Sequence, residues 1–118
     1  MTLKEIAPII DLDLERIVAL FMGKEEMYVK FLRKFPENVS RLLDDLEIAV
    51  KDDNHEAIEA AVHGIKGVAS NLGIGKVTDL GTTMLSEIRS NNFSNLNEHY
   101  PKLIEETNQA ITYIEQLD

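Results

Sequence analysis

His63-Gly64-Ile65-Lys66-Gly67-Val68-Ala69-Ser70-Asn71-Leu72-Gly73 is the stretch from which the rest of the chain can be read. It continues an apolar series, Ile58, Ala61, Val62, Ile65, Val68, Ala69, Leu72, whose 3.6-residue period marks the buried stripe of an amphipathic helix. At about 100° per residue, His63 falls roughly opposite the middle of that stripe. Lys66, Gly67 and Ser70 follow it by three, four and seven residues and share its outward side. An imidazole therefore stands mid-helix facing water, with a lysine one turn away. Gly73 suits the left-handed position that ends a helix. Gly64 and Gly67 do not, and each costs about 1 kcal/mol relative to alanine inside a helix. On the exposed side, packing against the core does not require them. Clearance does: a large body must reach the imidazole, and a bulky side chain at Gly67 would stand in its way.

Working outward, Asp53 with Glu56 three residues on reads as a capping pair that opens this helix, about 54–72. A long helix, about 24–51, precedes it. Glu25 and Glu26 suit its positive end, and Tyr28, Phe31, Leu32, Phe35, Val39, Leu42, Leu43, Leu46 and Ala49 keep one stripe. Pro36 lies inside it and should kink or break it. Because the stripe keeps its phase, a single kinked helix is expected. Asp11 or Asp13 can cap a short helix at about 13–22, with Leu14, Ile17, Val18 and Phe21 inward and Gly23 as its end. Residues 1–10 show no clear period, and Pro8 argues against a helix there, so a lead-in segment is expected. Downstream, Gly73-Ile74-Gly75 makes a tight loop. A helix at about 76–90 buries Val77, Leu80, Gly81, Met84, Leu85 and Ile88, and Asn91-Asn92 ends it. Ser94 caps a last helix, about 95–117, bent at Pro101. No strand pattern appears. The expected fold is all-α, an antiparallel four-helix bundle with a short extra N-terminal helix.

With 118 residues, one domain spanning 1–118 is expected, large enough to hold a core without staples. The chain has no cysteine, which excludes disulfides and thiolate metal sites. A formal net charge of −9 disfavours nucleic acid and anionic membranes. Trp is absent and aromatic residues are few, so no platform for stacking bases is visible. Asp11, Asp13, Glu15 and Arg16 interrupt any apolar run near the N-terminus, so neither a signal peptide nor a membrane span is expected and the cytoplasm is the default. The glycosylation patterns at Asn38 and Asn92 are then chance matches.

His55 and His63 are eight residues apart, about 12 Å along a helix, too far to chelate one ion unaided. His99 lies near the start of another helix without an obvious partner. Both His55 and His99 are expected to be ordinary solvated residues. The segment Gly73–Thr78 hints at a phosphate loop, but Ser70 stands where the first glycine belongs, Val77 follows the lysine and no strand precedes it. No other nucleotide-binding motif appears. The paired carboxylates Asp44-Asp45, Asp52-Asp53 and Glu105-Glu106 fit solvated faces and caps.

What remains is nucleophilic chemistry by one imidazole on a convex surface. Such a site lacks the pocket of an autonomous enzyme and suits a protein that is inserted into another's active site. Phosphoryl transfer asks little of the acceptor beyond an aligned nucleophile and charge stabilisation. An ordinary imidazole, with a pKa of about 6.5, is largely neutral at cellular pH.

The run from His63 to Gly73 resembles the signature of histidine-containing phosphotransfer (HPt) domains, His-x-Ile/Leu-Lys-Gly-x-Ala/Ser-x-x-Leu-Gly, and fills every position of it. The run Gly23–Leu32 is similar to the start of that family's long second helix. The resemblance implies a phosphorelay intermediate. His63 would accept a phosphoryl group, through Nε2, from a receiver-domain phospho-aspartate and pass it to the aspartate of a response regulator. Lys66 would stabilise the phosphoryl group and Gly67 would supply the clearance. Glu59, Ala60, Gly64, Ser70 and Asn71 are the expected partner-binding face. No cofactor of its own is implied, and magnesium is expected in the partner receiver domain. The implied partners are the receiver domains of a hybrid sensor kinase and of a response regulator, met by a monomer. Gly81 falls on the buried stripe of its helix, where relatives often carry a small residue such as alanine, and this departure puts the local stability of that helix in doubt. A rival expectation is a helical-bundle adaptor that uses the same face without chemistry. A histidine kinase dimerisation domain fits less well, because a second apolar stripe is lacking. The start at Met1 favours a free-standing protein over a module cut from a hybrid kinase.

Overall fold

The computed structural model describes residues 1–118 as seven helices: α1 (Leu3–Ile10), α2 (Leu14–Leu20), α3 (Glu25–Leu32), α4 (Phe35–Lys51), α5 (His55–Asn71), α6 (Gly75–Arg89) and α7 (Leu96–Glu115). The α3–α4 pair, α5, α6 and α7 pack in sequence, and α7 returns against α4 to close the bundle. Neighbours run antiparallel. Tyr28 of α3 reaches Leu72 at the end of α5, Glu59 near the start of α5 meets Arg89 at the end of α6, and Glu87 of α6 meets Asn95 before α7. The result is a rod of 41 × 22 × 19 Å. No helix is long and apolar enough to cross a membrane.

Residues 3–10 are helical, against the expectation of an irregular lead-in. The period is there once the cap is recognised. Thr2 Oγ1 accepts from the Glu5 amide and Glu5 Oε1 from the Thr2 amide, a reciprocal capping box. Leu3, Ile6, Ala7 and Ile10 then fall on one buried face against α7. Pro8 removes one helix bond near the end of a short helix, which this packing outweighs. The chain leaves α1 through Asp11 in the left-handed region, and Leu12 bridges Ile74 in the loop that follows α5.

At Pro36 the chain forms two helices where one kinked helix was expected. Pro36 has no amide for the Leu32 carbonyl, and its ring crowds that carbonyl, so α3 stops at Leu32. Arg33 (ψ −18°) and Lys34 (ψ −9°) nevertheless stay close to helical. The stripe therefore keeps its phase across the break, and Tyr28, Leu32, Phe35, Val39, Leu46 and Ala49 are all buried. Phe31 leaves the stripe: it is exposed, with its ring 5.5 Å from that of Phe21.

Two caps also differ from expectation. Asn54, not Asp53, caps α5, accepting from the Ala57 amide at 3.1 Å, while Asp53 takes the left-handed turn (φ 49°). Ser94 does not cap α7; its amide and hydroxyl are both held by Asn92 Oδ1. α7 then runs without interruption through Pro101.

Candidate functional site

The site helix α5 is fixed at both ends and along one face. Ile58, Ala61, Val62, Ile65 and Ala69 are buried, and the Asn54 cap holds the first turn. At the far end the buried Tyr28 hydroxyl donates to the Leu72 carbonyl at 2.7 Å. Burial pushes that phenol well above its usual pKa. Gly73 ends the helix with φ 72°. The Asp13 amide then donates to the Gly73 carbonyl and the Gly75 amide to the Asp11 carbonyl. A β-carbon on Gly75 would strike Asp11, so this contact requires glycine.

On this rigid helix His63 is exposed. The two glycines beside it have different causes. A β-carbon added at Gly67 would meet nothing within 4 Å, so no packing demand explains that glycine. One added at Gly64 would lie 2.8 Å from Leu42 Cδ2. Gly64 therefore lets α4 approach α5, which corrects the expectation that packing does not require it.

The expected partner-binding residues divide between two flanks. Glu59 and Ser70 face α6. Glu59 Oε1 accepts from Arg89 Nε at 3.1 Å, and Ser70 borders an open recess of about 470 Å³ with Asp13, Arg16, Thr78 and Asp79. Ala60 lies towards α4, where Leu42, Ile48, Ala57 and Ala61 help line a groove of about 360 Å³. Gly64 is half-buried against Leu42, and Asn71 is exposed.

Lys66 is half-buried, not a free arm. It lines a shallow recess of about 400 Å³ with Thr82, Leu85, Ser86, Arg89 and Ser90 of α6 and its end. Arg89 is the cation that the sequence reading missed. The signal was available: residues equidistant from the loop at Gly73–Gly75 face each other in an antiparallel hairpin, which puts the last turn of α6 beside the first turns of α5. Together Lys66 and Arg89 give this flank two cations, one of them already paired with Glu59 at the surface, where such pairs are weak.

Of the other histidines, His55 is exposed, in line with the expectation of a solvated residue, whereas His99 is half-buried. His55 stacks on Phe93 with ring centroids 3.6 Å apart, and its Nε2 lies 3.2 Å from Asp53 Oδ1. His99 is half-buried beside Glu87, with Nδ1 3.2 Å from Oε1. No group of three or more His, Asp or Glu side chains is placed to hold a metal ion.

A family model described as "Hpt domain" matches residues 30–117. No curated protein and no solved structure matches the chain.

Proposed function

Because the chain belongs to the Hpt domain family, whose role is histidine phosphotransfer in two-component phosphorelays, we propose that His63 is the residue that carries the phosphoryl group between receiver domains. The observation that carries this reading is the exposed imidazole one turn before Gly67, whose absent side chain leaves open space. His63 Nε2, unprotonated when Nδ1 bears the proton, attacks the phosphorus of a receiver phospho-aspartate. The N–P bond forms as the P–O bond to the aspartate breaks, and the carboxylate leaves with its electron pair. The second transfer reverses these roles on another receiver's aspartate. Lys66 offsets the phosphoryl charge. Magnesium would be supplied by the receiver, where it would help to offset the same charge.

The partners are the receiver domains of a hybrid sensor kinase and a response regulator. Four of the five large apolar side chains left exposed, Leu20, Met22, Met27 and Phe31, belong to α2, α3 and the turn between them. Tyr28 ties that corner to the C-terminal end of α5, roughly 14 Å along the helix from His63. An interface of standard size, roughly 800 Å² per partner, is wide enough to span that distance.

The test is transfer of label from a phosphorylated receiver. The product should be acid-labile and stable to base, and His63→Gln should take none. Label on His63→Gln would remove the assignment. Tight binding of receivers without any label would favour an adaptor.

A further inference from the structure

Gly81 is buried on the face of α6 that meets α5. A β-carbon there would lie 2.8 Å from Lys66 Cβ, 3.2 Å from Cγ and 3.5 Å from Cα. These atoms are rooted in the backbone of α5 and cannot swing away as a flexible tip could. Glycine weakens a helix relative to alanine, so its presence mid-helix needs a cause, and this contact supplies one. The beginning of the Lys66 stem lies across the bare backbone of Gly81, and the side chain continues into the recess with Thr82, Ser86 and Arg89.

We propose that Gly81 is a positioning residue: by presenting no side chain, it seats the stem of Lys66 against α6 and so aims the ammonium at the phosphoryl group on His63. This rests on the reading of His63 as phosphoryl carrier. An ammonium on a four-carbon stem has no fixed geometry of its own. The close approach to α6 constrains the first carbons of that stem before any partner binds, and a charge already in place costs no reorganisation during transfer.

The experiment compares Gly81→Ala, Lys66→Ala and the double variant with the wild type. Lys66 side-chain carbon resonances in NMR report its seating without any phosphoryl group. Single-turnover transfer from a phosphorylated receiver, at rising receiver concentration, reports its consequence. In Gly81→Ala the Lys66 Cγ and Cε resonances should move. The saturated transfer rate should fall on the order of tenfold, with the half-saturating receiver concentration unchanged. In the Lys66→Ala background Gly81→Ala should add no loss. Unmoved Lys66 resonances overturn the proposal. So does a further loss in the double variant, because Gly81 would then act on α5 as a whole. Should Gly81→Ala melt early, pairing it with Lys66→Gly removes the carbon it strikes; recovered folding supports the seating, and no recovery overturns it. A wild type that no receiver labels defeats the carrier reading separately, and the Lys66 resonances still decide what Gly81 does.

Discussion

Gly67 and Gly64, three residues apart on α5, should respond differently to the same methyl group. At Gly67 the new β-carbon meets nothing within 4 Å. Alanine there keeps the full helix-propensity gain, up to about 1 kcal/mol. For a chain of this size that raises the melting temperature by about 4 °C. At Gly64 the same gain is opposed by a β-carbon 2.8 Å from Leu42 Cδ2. Overpacking of this kind costs about 1–3 kcal/mol. The Leu42 tip can rotate away, which places the cost near the low end and the net change near zero. Gly67→Arg should fold as well as the wild type, since arginine is a good helix former. It would, however, stand four residues after His63 on the same face, and transfer from a receiver should fall about 100-fold or more. Phosphoramidate, a small donor, should label Gly67→Arg within a few-fold of whatever rate it gives with the wild type. Thermal melts and transfer time courses on the same three variants supply the assay. A destabilised Gly67→Ala, or full-speed receiver transfer by Gly67→Arg, would refute clearance as the reason for this glycine.

Lys66→Met keeps the stem across Gly81 and removes the charge, so transfer should slow while stability stays within about 0.5 kcal/mol; an unchanged transfer rate would deny the ammonium a role. Tyr28→Phe leaves the buried Leu72 carbonyl without its donor and should cost about 1–3 kcal/mol in denaturant titration; a neutral result would mean that water replaces the hydroxyl there. Glu5 is held below the usual carboxylate range by its hydrogen bonds to the Thr2 backbone and side chain. Its contribution to α1 should therefore be complete above the ordinary glutamate pKa and lost as pH falls through the lowered value. Amide exchange in α1 should rise at acid pH in the wild type and lose that dependence in Glu5→Gln.

The helices were legible because each carries its own period, and the block from His63 to Gly73 was legible because side chains three and four residues apart share a face whatever the tertiary structure. Several of the misses share a different cause. Gly64 and Gly81 owe their place to atoms on a neighbouring helix, Leu42 and Lys66, and one helix's pattern says nothing of how closely another approaches. Arg89 depends on hairpin register in the same way. His99 looked solvated because its partner, Glu87, lies on another helix. α1 was missed for a local reason: Pro8 was weighed more heavily than the cap at Thr2 and the buried set Leu3, Ile6, Ala7 and Ile10. At Pro36 the stripe's phase was read as continuity of the helix. The phase survives because Arg33 and Lys34 remain near-helical, so periodicity could not reveal the break.

A single imidazole on one face of α5 also sets the tempo of any relay that uses it. Donor and acceptor must both reach His63, so the first must depart before the second arrives. Throughput is then capped by how quickly each complex dissociates. At an ordinary association rate of about 10⁶ M⁻¹s⁻¹, a complex that releases in about a tenth of a second has a Kd near 10 μM. Added grip at the corner formed by Leu20, Met22, Met27 and Phe31 would lengthen that residence and slow the exchange. A face of this kind works best at modest affinity, and discrimination between receivers falls to how well the reacting atoms are aligned once docked.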